Sequence, residues 1–319
     1  MKRVGKMKKL GWFMVLMMLS LLLAACSTEG EAEETNGQKE DQKEQVTVKH
    51  KLGETTVEKN PEKVVVFDFG TLDTLNDLGV EVAGVPKDSL PSYLSDYEGE
   101  GYAHVGGLKE PDFEQIYEVD PDLIIISGRQ SDLYEEFAEI APTIYVELDA
   151  ENYMDSFKGN VEMLANIFDK QEEAEEKLAA IEKNVENLKS KTSDAEGLIV
   201  LATGGKLSAY GEGSRFGIIH DTFGVQAVDE NIEVATHGQK VSFEYILEQD
   251  PDYLFVIDRD AVVSDEPAAK QMMENDVVKQ TAAYEKDQIV YLDPNYWYLS
   301  GGGLQSVQAM IDEIETSME

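Results

Sequence analysis

Only four of the 27 basic residues are arginine, and three of these, Arg129, Arg215 and Arg259, stand in a long acidic stretch whose other cations are lysines. A guanidinium stays charged, presents a planar fork to anionic oxygens and is not interchangeable with an ammonium at such a site. Arg129 and Arg259 each follow an apolar run of strand length, at the end where open α/β sheets place their ligand crevices. Arg215 lies in the glycine-rich loop Gly211-Glu212-Gly213-Ser214-Arg215-Phe216-Gly217, where a helix is expected to begin. Together the three predict a positive pocket for a multiply anionic ligand. The competing reading is that each arginine pairs with a neighbouring surface acid, since the chain holds 64 Asp and Glu.

The elements that must carry these residues are legible as a repeat. FEQIYEVDPDLIIISGRQ at 113–130 and FEYILEQDPDYLFVIDRD at 243–260 match as Phe-Glu-x-Ile-x-Glu-x-Asp-Pro-Asp, an apolar run and an arginine. Asp112 and Ser242 are N-cap types, and Pro121 and Pro251 cannot continue a helix. Continuous apolar runs of four or five residues suit parallel strands covered on both faces. Upstream, Val64–Phe67 and Leu198–Leu201 predict further strands. The first is followed by a helix ending near Gly79, the second by a loop and a helix over about 216–223. Strands alternating with helices predict two α/β lobes with mainly parallel sheets, a duplicated unit spanning 46–152 and 193–319. Between them, residues 153–192 carry apolar residues at helical spacing, and Asp169 with Glu172 reads as a capping box that opens a long, stiff connecting helix.

The N-terminus has a different task. Five basic residues precede the apolar run Leu10–Leu23, which is too short for a permanent span and ends in Leu23-Ala24-Ala25-Cys26. This predicts a signal peptide over 1–25, and the small residues before Cys26 resemble the lipobox of bacterial lipoproteins, in which that cysteine is acylated. As the only cysteine it excludes an internal disulfide and a thiolate metal site. Residues 26–45 are polar and acidic and predict a disordered tether. All 64 acidic residues but only 22 of the 27 basic ones lie beyond the signal segment, a net charge of −42 that disfavours nucleic acid and anionic lipid surfaces.

A lipobox, an acidic tether and two small α/β lobes joined by one helix resemble the helical-backbone, class III substrate-binding lipoproteins of bacterial ABC importers for iron siderophores, haem and cobalamin. The resemblance covers the whole chain beyond the signal segment, and the doubled Phe-Glu…Asp-Pro-Asp block carries most of it. It implies two Rossmann-like lobes joined by a single long α-helix, a ligand cleft between them with only small closure, and a monomer on the outer face of the cytoplasmic membrane, anchored through Cys26. Within the class the chain looks most like the catecholate-siderophore binders, the petrobactin type among them. An iron(III) tris-catecholate carries about three negative charges, which three arginines match. The same resemblance implies that His237 and Tyr298 complete the iron shell where the ligand leaves positions open, that Tyr296 and Trp297 form an aromatic wall beside it, and that Glu114 and Glu244, twinned by the repeat, dock on a two-fold permease. Exposed-loop and helix-terminal roles for His237, Glu114 and Glu244 are the bland alternatives. The iron complex is cargo, and no resident cofactor is implied.

Other classes fare worse. There is no Gly-x-Ser-x-Gly, Walker loop, His-Glu-x-x-His or dinucleotide fingerprint to support an enzyme. Haem or cobalamin would want a more apolar, less cationic face. A hydroxamate siderophore keeps the fold and changes the cargo. A bare-ion receptor would gather several histidines, whereas the four here are scattered, and a structural lipoprotein leaves the arginines without a role.

Overall fold

Two parallel-centred sheets grow from the apolar runs. The computed structural model describes residues 44–318; the expected signal peptide, Cys26 and nearly all of the expected tether lie outside them. Strands β1 (Gln45–His50) and β2 (Gly53–Glu58) form an antiparallel hairpin, so the last residue assigned to the tether already begins a strand. The first lobe's sheet comprises β3 (Val64–Val66), β4 (Gly84–Val85), β5 (Ala103–His104), β6 (Leu123–Ile126) and β7 (Thr143–Tyr145), ordered β5-β4-β3-β6-β7. All of its pairings are parallel. Every residue of β3 and β6 is fully buried, which is why these runs do not alternate with polar residues.

The second lobe's sheet holds β8 (Glu196–Thr203), β9 (Lys206–Tyr210), β10 (Gln226–Ala227), β11 (Gln239–Val241), β12 (Tyr253–Asp258) and β13 (Ile289–Leu292). Its order is β11-β9-β8-β12-β13, with β10 also beside β8. The pairs β8–β12, β12–β13 and β8–β10 are parallel, while β8–β9 and β9–β11 are antiparallel. Strand β9 occupies what the sequence suggested was loop. Gly204 and Gly205, with φ of 55° and 71°, form the two-residue connection from β8, a turn with two positive φ values that matches the twist of the strands it joins. The helix expected over 216–223 is correspondingly short, Ile218–Asp221.

Six α-helices have seven or more residues among the described residues: α1 (Phe69–Asp77), α2 (Phe113–Val119), α3 (Tyr153–Ile167), α4 (Gln171–Thr192), α5 (Phe243–Gln249) and α6 (Leu304–Ser317). None is long and apolar enough to cross a membrane. The repeat holds in detail at α2 and α5: Asp112 and Ser242 accept from the N–H of Gln115 and Tyr245, and Asp120 and Asp250 end the helices in the left-handed region. Helix α4, at about 1.5 Å per residue, runs ~33 Å. It does not open on the expected box. Asp169 is left-handed (φ 53°), and its carboxylate accepts from Lys59 and Asn60 of the first lobe, leaving Lys170 as N-cap without a side-chain bond.

Leu164 and Ile167 of α3 pack into the first lobe's core, whereas Phe157 and Val161 join the core containing Leu178 and Ile181 of α4 and Val307, Met310 and Ile314 of α6. Helix α6, at the end of the second lobe, therefore also meets α1 of the first. The contact is polar at one point. Asp73 of α1 is fully buried, and its carboxylate accepts from the backbone N–H of Gln305 (2.8 Å) and Ser306 (2.7 Å) in the first turn of α6, while the Tyr93 hydroxyl lies 3.1 Å away. Burial pushes its carboxyl up to about 6, against the bonds from Ser306, Gln305 and Tyr93 that favour the anion. The folded state thus holds this proton more tightly than the unfolded chain. Stability from Asp73 is fully present below about pH 4 and is lost as pH rises through about 6, a change on the order of 2–3 kcal/mol. Urea unfolding of the wild type and Asp73→Asn at pH 7 and 4.5 should show the wild type gaining on the variant at the lower pH. A difference independent of pH would contradict this.

Candidate functional site

The ends of β6 and β12 direct two of the arginines to one tyrosine, Tyr298. After β6 the chain turns at Ser127, whose N–H donates to the Gln130 side chain, itself anchored on the Leu108 carbonyl, and this turn presents Arg129. The Arg129 guanidinium donates to the backbone carbonyls of Tyr298 (2.9 Å) and Leu299 (3.4 Å). After β12, Arg259 donates through Nε to the Tyr298 hydroxyl (2.8 Å) and through a terminal nitrogen to Thr203 and Asp260 (3.2 and 3.3 Å).

Arg215 arrives from the glycine-rich loop, which is held by Gly213 N–H donating to Asp221 and by Ser214 donating to the Gly211 carbonyl. It donates to the Tyr298 carbonyl at 2.7 Å, and its guanidinium carbon lies 4.3 Å from the centre of the Tyr298 ring and 5.1 Å from that of Phe216. All three arginines thus converge on Tyr298, one from the first lobe and two from the second. The single ion pair among them is Arg259 with Asp260, so pairing with surface acids does not account for Arg129 or Arg215 among the described residues. Three guanidiniums carry about fifteen N–H donors, and six bonds engage them here. More than half remain for anionic oxygens.

The charges act on one another. Burial, then the neighbouring Arg215 charge, pulls Arg129 below its usual value, though a guanidinium remains protonated. Burial alone would raise the Tyr298 phenol, but the Arg259 hydrogen bond and the Arg215 and Arg259 charges together leave it below the ordinary tyrosine range. A phenol in this state is a ready oxygen donor to a hard cation.

Tyr298 lies in a π-helical turn, Asn295–Ser300, closed by Gly301 in the left-handed conformation. Successive side chains of this turn diverge. Tyr296 packs at a tilt against Tyr93 of the first lobe, with ring centres 4.6 Å apart, and is half-buried. Trp297 points inward: it is 3% exposed, packs edge-on against Phe223, and donates through Nε1 to Glu313 of α6 at 2.6 Å. The expected aromatic wall is corrected accordingly. Trp297 is core, because an indole face and its N–H are both satisfied there, and only Tyr296 retains surface. His237 is exposed in the turn before β11, and its imidazole bonds to no described residue. Glu114 and Glu244 are exposed in the first turns of α2 and α5.

Grooves of about 370 Å³ between α3 and α4 and about 570 Å³ beside the β1–β2 hairpin contain no arginine. The clustered charge marks the site. Sequence reasoning missed Asp73, Ser92 and Tyr93, which hold the Tyr298 turn from the first lobe. The signal for Asp73 was present, as an acid on the buried face of α1 among Phe69, Leu72 and Leu75.

Comparison with known proteins bears on this geometry. The family described as periplasmic binding protein matches residues 64–296. The petrobactin-binding protein YclQ of Bacillus subtilis is 48% identical over 98% of this chain and 100% of its own. Its crystal structure superposes with a TM-score of 0.85, at 51% identity, covering 87% of this chain and 99% of that one. The iron-uptake ABC transporter substrate-binding protein PiuA of Streptococcus pneumoniae has a TM-score of 0.82 at 38% identity, covering 85% and 98%. The periplasmic catecholate-siderophore binding protein VctP of Vibrio cholerae has a TM-score of 0.81 at 35% identity, covering 86% and 100%.

Proposed function

We propose, because this chain belongs to the periplasmic binding protein family, that it is a receptor for an anionic iron(III)-catecholate siderophore, which it hands to an ABC importer. The observation that carries the reading is the convergence of Arg129, Arg215 and Arg259 on one tyrosine between two lobes. Free guanidinium donors face a trianion better than a neutral or apolar ligand, and the names of the relatives, among them a petrobactin binder and a catecholate-siderophore binder, point to the same ligand class. The protein binds its ligand and does not transform it.

Where the siderophore fills all iron positions, the arginines act by charge alone. Where it leaves positions open, Tyr298, whose phenol the arginines favour as the anion, is the first candidate to occupy one, and His237, on its exposed turn, is the second. Glu114 and Glu244 sit at equivalent places on pseudo-symmetric helices, which suits docking on a two-fold permease with basic residues. Acylated Cys26 would hold the receptor on the outer face of the cytoplasmic membrane.

Trp297 adjoins Tyr298 and reports on the site by fluorescence. Titration with an iron(III) tris-catecholate should quench it saturably, with Kd from nanomolar to micromolar, about −8 to −12 kcal/mol. Iron hydroxamates, haem and cobalamin, titrated in parallel, should bind more weakly. Quenching by haem alone, or by none of the four, removes the assignment.

A further inference from the structure

We infer that Asp73 is a positioning residue for the arginine cluster: from the first lobe it holds the start of α6, and with it the segment 295–303, so that Tyr298 stands where guanidiniums of both lobes can reach it. The inference rests on the reading of that cluster as a ligand site. The chain leaves the second lobe's sheet at Leu292 and is then tied to the first lobe at one point after another. The Asn295 side chain accepts from the Ser92 N–H (3.0 Å), the Tyr296 ring packs at a tilt against Tyr93, and the Tyr93 hydroxyl lies 2.7 Å from Ser300 Oγ and 3.1 Å from Asp73. Tyr153 at the start of α3 donates to the Gly301 carbonyl.

The glycines of the segment explain themselves by closeness. A Cβ on Gly303 would lie 2.3 Å from the Asp73 carboxyl carbon, one on Gly302 would lie 2.5 Å from Leu148, and one on Gly70 would lie 2.9 Å from the Gly302 backbone. The segment therefore runs between α1 and Leu148 with no room to shift. Asp73 closes it by accepting from two backbone N–H groups of α6, Gln305 and Ser306, which as first-turn donors have no partner within the helix. The anion is also favoured by the positive end of the helix.

The consequence concerns registry between lobes. Arg129 reaches the Tyr298 and Leu299 carbonyls from the first lobe, and Arg259 reaches the Tyr298 hydroxyl from the second. With the latch closed, the carbonyls stay in register with Arg129 whatever the second lobe does, and closure is felt at Arg215 and Arg259. With the latch loosened, the segment follows β13, and the Arg129 contacts are lost first.

Asp73→Asn tests this, since it keeps the size of the side chain but turns one acceptor into a donor facing a backbone N–H. Amide hydrogen exchange read by mass spectrometry should be about tenfold faster or more over 295–303 in the variant, with peptides from β8 and β12 unchanged. Equal rates over 295–303 would overturn the inference. Binding of an iron(III) tris-catecholate gives the second readout, in a double-mutant cycle with Arg129→Gln. A residue acting through Tyr298 and Arg129 should weaken binding about tenfold alone and far less once Arg129 is gone, whereas purely structural damage adds in full and would overturn a positioning role. If Asp73→Asn fails to fold, Tyr93→Phe removes only the bridging hydroxyl and should move both readouts the same way, about threefold. Exchange needs no ligand, so a wild type that binds no catecholate would remove the proposed function while exchange still decides the latch.

Discussion

Replacement of Arg129, Arg215 and Arg259 together by glutamine is expected to abolish measurable binding of an iron(III) catecholate, with a loss of about a thousandfold or more, or ~4 kcal/mol. Each single change should cost about 1–3 kcal/mol through loss of charged hydrogen bonds. The three are not independent, because all of them hold Tyr298, so their losses should not sum simply. Glutamine keeps an amide donor while removing the charge, which separates electrostatics from hydrogen bonding as such. The triple lysine variant is the informative companion: it restores the charge without the planar fork, and should recover part of the affinity. Because two of the three side chains are half-buried and the cluster contains a single ion pair, the fold should tolerate the change. The check is fluorescence titration beside a thermal melt. Normal affinity in a folded triple variant would end the interpretation of the cluster as a ligand site.

Trp297→Ala should act on stability instead of on a ligand-facing wall. The indole is 3% exposed, rests against Phe223 and satisfies Glu313. Truncating a buried large aromatic typically costs about 3–5 kcal/mol. The change also leaves one Glu313 carboxylate oxygen without its donor, the other still accepting from the Asp293 N–H, in a carboxyl that burial already raises and that the Trp297 N–H helps to keep ionised. Trp297→Phe divides these effects: it retains most of the packing and should lose about 1–3 kcal/mol from the unpaired acceptor alone. Denaturant unfolding measures both. A small change in stability accompanied by a large loss of affinity would instead place the indole against the ligand.

Several features were readable because they are local. Asp112 and Ser242 cap helices by bonding to a residue three positions on, and Pro121 and Pro251 stop them by their own covalent geometry. The runs 123–126 and 254–257 had to be covered on both faces, since no polar residue interrupts them. Where local signals misled, a distant partner had intervened. Asp169 has the type and spacing of an N-cap, but Lys59 and Asn60, more than a hundred residues away, claim its carboxylate. Strand β9 was missed because its five-residue pattern is too short to stand out and depends on β8 and β11, which flank it, for meaning.

By itself, then, the amino-acid order determined two twinned α/β units, a helical link, the excess of negative charge and the scarcity of arginine, all of which follow from short-range propensity, hydrophobic period and composition. Tertiary structure alone decided that three arginines from separate segments share Tyr298, that Trp297 beside it faces the core, and that Asp73 caps a helix 232 residues further along the chain. The physical reason is that directions within a single π-turn obey no period a sequence displays, and a buried carboxylate finds its donors only when the helices that carry them have packed.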